Sequence, residues 1–249
     1  MDYNKEYFSK GVLASVKEKM PSIYVYWPLL SPQTRALRKI KDISLPRILD
    51  LGCGEGGFLD ISKKMLPNAE ITAVDIGDFR LLQNDSEVIH FLKWNLEEPH
   101  IPLPDSSFDF INCADVIEHL NSPDILFSEI KRLLSPNGFL YVEVPDVRWT
   151  FLPHFPFIVS DIGTFNFWDD PTHIRPHTRS SIRRLIEMSG LSCKKTFYVR
   201  KWAHMLALPL AVFGRNNDYK IACLHSILGL WCGAIAQKKI SLTKNQEIL

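Results

Sequence analysis

Arg47-Ile-Leu-Asp-Leu-Gly-Cys-Gly-Glu-Gly-Gly-Phe58 is an apolar strand that runs into a glycine-rich turn. Asp50 sits inside the strand, and Gly52, Gly54, Gly56 and Gly57 follow. Glycine lets the chain bend sharply and lets backbone N–H groups approach a ligand closely. The helix that begins after the turn adds the positive end of its dipole. Taken alone, G-x-G-x-G fits both a dinucleotide-binding loop and a plain tight turn between strand and helix. Three later features narrow this. Asp75 ends the next apolar run, ITAVD, 25 residues after Asp50. A carboxylate at that position can accept hydrogen bonds from both hydroxyls of a ribose. Asn95 follows a third apolar run, where its amide can meet an adenine edge. The strings LPDSSFDFINCADVIEHL and LLSPNGFLYVEVP then come at the spacing of a fourth and fifth strand.

Outward from this stretch the chain divides into three zones. Residues 1–45 look helical, with a proline-broken connector, YWPLLSPQ. Residues 46–146 alternate strands with helical patterns. The strands are predicted at Arg47–Leu51, Ile71–Val74, Val88–Leu92, Phe108–Cys113 and Phe139–Val144. Helices are predicted at Gly57–Met65 and Asp124–Leu134, with a turn near Arg80–Leu82. Strands alternating with helices form βαβ units and a mostly parallel sheet. Residues 147–249 are less regular. They hold a helix over Ser180–Ser189 closed by Gly190, a strand over Leu191–Tyr198 and a last strand over Cys232–Ile240. All three zones are expected to form a single domain over residues 1–249: an N-terminal helical cap, a cofactor half, and an acceptor-side insertion with the last strands.

Composition bounds the function. The chain has 249 residues, 46% of them hydrophobic and 23% charged, which suits one globular α/β unit and excludes a disordered chain. Basic and acidic residues number 29 and 28, so the net charge of +1 gives no global footprint for nucleic acid. The five cysteines are odd in number, widely spaced and without C-x-x-C, which fits a reducing compartment. The first ten residues do not read as a signal peptide, and no apolar run reaches the length of a spanning helix. The expected setting is the cytoplasm, with contact to a membrane surface through residues 202–230 left open.

The four strings DLGCGEGGF, AVD, LPDSSFDFINCADVIEHL and RLLSPNGFLYVEVP resemble the successive motifs of class I S-adenosylmethionine (SAM)-dependent methyltransferases. The resemblance covers residues 46–146 and extends loosely to about 198. It implies a Rossmann-like α/β fold: a seven-stranded, mostly parallel sheet with an antiparallel last strand and helices on both faces. It also implies SAM as cofactor. The glycine loop would pass under the methionine portion, Asp75 would hold the ribose, and the surroundings of Asn95 would meet adenine. The implied cofactor contacts are Asp50, Gly52, Cys53, Gly54, Gly56, Asp75, Ile76, Asn95, Leu96 and Ala114. No second mononucleotide-binding half is present, which argues against NAD.

After the fourth strand comes Ala114-Asp-Val-Ile-Glu-His-Leu120. A helix starting here would place Asp115, Glu118 and His119 on one face. Three readings stay open: the residues fix the loop, His119 acts as general base, or Asp115, Glu118 and His119 with a later histidine ligate a divalent metal. The string resembles the metal-binding segment of ubiquinone-pathway O-methyltransferases and small-RNA 2′-O-methyltransferases, with Asp115 where those have Glu. The later histidine is His173, in Asp170-Pro-Thr-His-Ile-Arg-Pro-His-Thr-Arg179, which is also a candidate base facing the acceptor. Asp170 and Thr178 are placed to cap the turn and helix that follow.

Residues 149–168 hold seven aromatics in twenty positions, against about two from the chain average. They suggest an apolar wall over the acceptor or a satellite core cluster. Tyr24, Tyr26 and Trp27 would close the other side or pack in the core. Segment 202–230 reads as a buried helical hairpin or as a membrane or lipid contact. The expected activity is O-methylation of a small-molecule, lipid or glycan-precursor acceptor. RNA 2′-O-methylation, which calls for a basic groove, and a catalytically silent SAM-binding scaffold are the alternatives.

Overall fold

The computed structural model describes residues 31–54, 56–77, 89–153, 166–200 and 224–239. The N-terminal aromatics Tyr24, Tyr26 and Trp27, the turn expected near Arg80–Leu82 and most of segment 202–230 lie outside these residues.

Seven strands form one sheet: β1 (Arg47–Leu51), β2 (Glu70–Asp75), β3 (Ile89–Lys93), β4 (Phe108–Ala114), β5 (Leu134–Pro145), β6 (Ser192–Val199) and β7 (Trp231–Gln237). Their order across the sheet is β3-β2-β1-β4-β5-β7-β6. The first five are parallel, and β7 runs antiparallel to both of its neighbours, β5 and β6. The expected antiparallel last strand is present, ending at Gln237. Strand order reverses between β1 and β4, so the carboxyl ends of these strands flank the crevice where ligands bind in such sheets.

The helices are α1 (Pro32–Leu37), α2 (Gly57–Met65), α3 (Pro123–Leu133) and α4 (Arg179–Met188). The period-2 alternation of the strands splits the core in two. Ile48, Ile71, Ala73, Phe110 and Tyr141 pack with Ala36 and Leu37 of α1 and Phe58 and Leu59 of α2. Leu49, Leu51, Ile111, Cys113, Leu140 and Val142 pack on the opposite face with α3 and α4. Burying both faces explains why these strands read as nearly continuous apolar runs.

Helix boundaries follow local chemistry. Ser31 caps α1 by accepting from Thr34 N–H, and Pro32 opens that helix without an amide to leave unsatisfied. Pro123 plays the same part in α3. Thr178 caps α4 by accepting from Ser181 N–H, and Ser181 reciprocates. Gly190 stops α4 in the left-handed conformation, φ +83. Among the described residues, no helix is long and apolar enough to cross a membrane.

Candidate functional site

β1 delivers the chain into a loop with Gly52, Gly54 and Gly56 at φ +70, +48 and +80. At Gly52 a second constraint acts: a Cβ there would lie 2.3 Å from Val116 Cγ2. At Gly54 a Cβ would meet nothing within 4 Å, so the loop opens outward there. The amides of Gly52 and Cys53 both donate to the Val74 carbonyl, tying the loop to the end of β2.

Asp75, the last residue of β2, is braced from both sides. Its Oδ2 accepts from Gly54 N–H at 2.9 Å and its Oδ1 from Gly77 N–H at 2.8 Å. Asp50 is 2% exposed, and its Oδ1 accepts from Asn112 Nδ2 at 2.7 Å. The Asn112 carbonyl oxygen in turn accepts from Gln33 Nε2 at 2.8 Å. Burial pushes the Asp50 carboxyl up to about 7 despite the Asn112 hydrogen bond, and the charge of Asp75 adds to the rise. Burial likewise holds the Cys53 thiol in its protonated form.

The remaining expected cofactor residues separate by environment. Ile76 is 60% exposed beside Asp75. Asn95 folds back, its Oδ1 accepting from Glu97 N–H at 3.1 Å. Leu96 is buried in the core. Ala114 is the half-buried last residue of β4.

The segment after β4 does not form the α-helix that would place Asp115, Glu118 and His119 on one face. Asp115 adopts φ +54, and a 3₁₀ turn covers Ile117–His119. The Asp115 Oδ1 accepts from Trp231 Nε1 at 3.2 Å. Glu118 turns inward and is fully buried. Neither of its carboxylate oxygens has a hydrogen-bond partner among the described residues. Burial, and next the charge of Asp115, holds its carboxyl well above the usual range. The Glu118 carbonyl accepts from the amides of Ile174 and Arg175, which clamps the 170–175 segment onto this turn.

That clamp brings His119 and His173 together, ring centroids 4.8 Å apart. His173 Nδ1 lies 2.7 Å from the Phe167 carbonyl, an acceptor only, so Nδ1 carries the proton and Nε2 its lone pair. Thr172 Oγ1 donates to Asp170 Oδ1 at 2.5 Å. Its one proton is thereby used, so His119 Nδ1, 2.9 Å away, is the donor to Thr172, and His119 Nε2 is likewise the basic nitrogen. Ligand atoms of Glu118, His119 and His173 lie within 4.8 Å of one another; Asp115 is not part of this group. Burial lowers the pKa of His173, keeping it neutral at neutral pH.

The aromatic segment supplies walls to this cluster. Phe167 stacks on His173 with centroids 4.4 Å apart. Trp149 packs against Trp231 and donates its indole N–H to buried His225. Trp149, Phe167 and Leu230 form a small separate core. Phe151 and Trp168 are exposed at 81% and 52%, so the segment divides between core and surface. Phe155, Phe157 and Phe165 lie outside the described residues. Sequence reasoning missed Asn112 and Gln33. A lone polar residue in the apolar string FINCA, opposite Asp50 in the β1–β4 register, was the available signal for Asn112.

A profile of the methyltransferase domain matches residues 28–196, more than half of the chain. The chain belongs to the methyltransferase domain family. Its sheet, with the glycine loop at the switch point, is that of the class I SAM-dependent members. The chain is 27% identical over 174 residues to methyltransferase str3 of Strobilurus tenacellus, covering 66% of this chain and 62% of the relative. It is 32% identical over 106 residues to a ubiquinone biosynthesis O-methyltransferase of Xanthomonas oryzae pv. oryzae, covering 41% and 44%. The chain thus spans less than two thirds of the length of these curated relatives. In fold it is similar to the putative methyltransferase in complex with the Haloferax volcanii Trm112 methyltransferase activator, with TM-score 0.62, 14% identity and 91% and 96% coverage.

Proposed function

We propose that this chain is a SAM-dependent O-methyltransferase acting on a hydroxyl of a small molecule, lipid or glycan precursor. The observation that carries this reading is the pair of imidazoles, each held through Nδ1 with Nε2 left as the accepting nitrogen, on the same sheet edge as the glycine loop and Asp75. A hydroxyl acceptor must lose a proton as it is methylated, whereas an amine needs only alignment and desolvation. The Xanthomonas relative, named an O-methyltransferase, supports the same choice.

When bound, SAM supplies a sulfonium methyl group open to in-line displacement. Asp75 accepts from the ribose hydroxyls, its carboxylate oriented by the Gly54 and Gly77 amides. Ile76 offers an apolar face to the adenine and Asn95 its amide edge, while buried Leu96 holds that turn in place. Gly52, Cys53, Gly54, Gly56 and Ala114 line the methionine side. Asp50 places a carboxylate beneath it, as counter-charge to a cationic ligand. His173 Nε2 takes the acceptor proton, with His119 beside it, and Phe167 and Trp149 exclude water around the pair.

Glu118, His119 and His173 also form a fitting donor set for a divalent cation, because two buried carboxylate oxygens lack partners and two imidazole nitrogens converge on them. Bound there, a cation would lower the pKa of the acceptor hydroxyl.

Incubating the purified chain with methyl-labelled SAM and separated small-molecule, lipid, glycan and RNA fractions tests the reading. Label is expected in one of the first three. Bound SAM with no transfer to any fraction would reject it in favour of a silent SAM-binding protein, and transfer to RNA alone would reassign the acceptor.

Asp50 gives a further expected result. Its carboxyl titrates at about 7 when the site is empty, so it is mostly protonated at pH 6. SAM affinity should then rise about eightfold from pH 6 to 7.5, below the titration of the SAM amine. Asp50→Asn should flatten that dependence in calorimetry. The raised value means that stability falls as pH rises from the unfolded carboxyl's 3.8 and levels off above about 7. The same substitution should therefore raise the melting temperature more at pH 8 than at pH 5, and least near pH 4.

A further inference from the structure

On the far side of β7 from the methyl-transfer site, three guanidinium groups gather around one exposed tyrosine. The guanidinium carbons of Arg148 and Arg179 lie over the Tyr198 ring, each 3.9 Å from its centroid. Arg200 joins them: a Cβ placed on Gly229 would meet Arg200 Nε at 3.4 Å and Tyr198 Cβ at 3.5 Å. Arg148 is fixed in place, with its Nε donating to Asp146 Oδ1 at 2.6 Å and its Nη2 to the Gly229 carbonyl. Arg179 is the first residue of α4, so the positive end of that helix points the same way.

Like charges this close repel, and Asp146 pairs with Arg148. Among the described residues no carboxylate pairs with Arg179 or Arg200. This local excess stands in a chain whose net charge is +1. Stacking on an aromatic ring holds a guanidinium plane fixed while its edge N–H donors remain available for a bidentate anion. The patch therefore has the form of a preorganised anion site, and an anion is what would relieve its repulsion.

Its location gives it a purpose. Arg148 follows the carboxyl end of β5 and Arg200 that of β6, and both strands run in the same direction as β4. The patch thus opens on the same edge of the sheet as His119 and His173. β6 is three strand spacings from β4, about 14 Å. Trp231, which pairs with Val199 and bonds to Asp115, bridges that interval.

We infer that Arg148, Arg179 and Arg200 around Tyr198 form a subsite for a phosphate or diphosphate group on the methyl acceptor, on the same edge of the sheet as the hydroxyl that is methylated. This assignment to the acceptor rests on the O-methyltransferase reading; the anion site itself does not.

Two measurements test it. The first is calorimetric titration of the full chain with inorganic pyrophosphate at low salt. The wild type should bind, R179A/R200A should bind at least tenfold more weakly, and R179K/R200K should fall between, with SAM affinity and melting temperature kept in both. Absence of binding to the wild type, or equal binding to R179A/R200A, would overturn the subsite. The second uses whichever fraction accepts the labelled methyl group. Phosphatase treatment should abolish its acceptor capacity, and R179A/R200A should raise its KM at least tenfold with kcat within about twofold. A phosphatase-treated fraction that is still methylated with unchanged KM would overturn the acceptor assignment. Arginine-dependent pyrophosphate binding with no methylation of any fraction would uphold the anion site and reject the methyltransferase reading.

Discussion

Asp75→Ala is expected to weaken SAM binding about a hundredfold. In the proposed binding mode the carboxylate accepts two charge-assisted hydrogen bonds from the ribose, each worth roughly 1.5–3 kcal/mol, and a loss of about 2.7 kcal/mol is a hundredfold. The substitution also strips the Gly54 and Gly77 amides of their acceptor, which loosens the loop that carries the methionine end. Calorimetry with SAM and with its 2′-deoxyribose analogue separates the two effects. The wild type should prefer SAM by at least tenfold, and the variant should show almost no preference. Gly54→Arg should give a loss of similar size by another route. Its Cβ clashes with nothing, but the φ of +48 strains a non-glycine residue and the side chain fills the opening beside the loop. Unchanged SAM affinity in both variants would remove the cofactor assignment.

Which parts of this site can be read from the sequence depends on how locally they are specified. β1, the glycine loop and Asp75 lie within 29 residues, and each announces itself through its own chemistry: apolar alternation, left-handed glycines, a strand-ending acid. The sheet follows from the same repetition. Its extension to seven strands with β7 antiparallel came from the resemblance of the motifs. The Asp115–His119 segment shows the limit. Its i, i+3, i+4 spacing is that of a helix, yet tertiary contacts decide otherwise. The Asp115 amide donates to Glu143, the Glu118 carbonyl accepts from Ile174 and Arg175, and the turn tightens to 3₁₀. Nothing local in the sequence says that Glu118 points inward while Asp115 meets Trp231, 116 residues away. The pairing of His119 with His173 spans 54 residues and depends on that same clamp. The arginines around Tyr198 come from three separate elements, so no window of sequence shows them as a cluster. Long side chains that meet across elements are where sequence patterning carries least information.

Glu118→Gln is expected to lower methyl transfer at least a hundredfold while SAM still binds. A fully buried carboxyl with both oxygens unpartnered costs free energy in any form, and an interior normally satisfies such groups. A ligand that uses all three groups would account for its retention beside the two imidazoles. Burial holds the Glu118 carboxyl well above the usual range, which favours its protonated form in the metal-free protein. A divalent cation binds the ionised form, so binding should release protons and strengthen as pH rises. Titration with Mn²⁺ in two buffers of different ionisation enthalpy measures the release directly. Glutamine keeps the shape but cannot ionise, so Glu118→Gln should abolish the release and weaken Mn²⁺ at least a hundredfold. His173→Ala should match it in rate and affinity. A second outcome is equally informative. A chain stripped with EDTA that keeps its full rate and releases no proton on titration would exclude the cation. His173 would then stand as the base on its own, and His173→Ala should still lower kcat by 10²–10⁴, the range for a lost general base. A full rate in His173→Ala would take both roles away from His173 and leave His119, whose Nε2 is oriented by the Thr172 hydroxyl, as the base to test next.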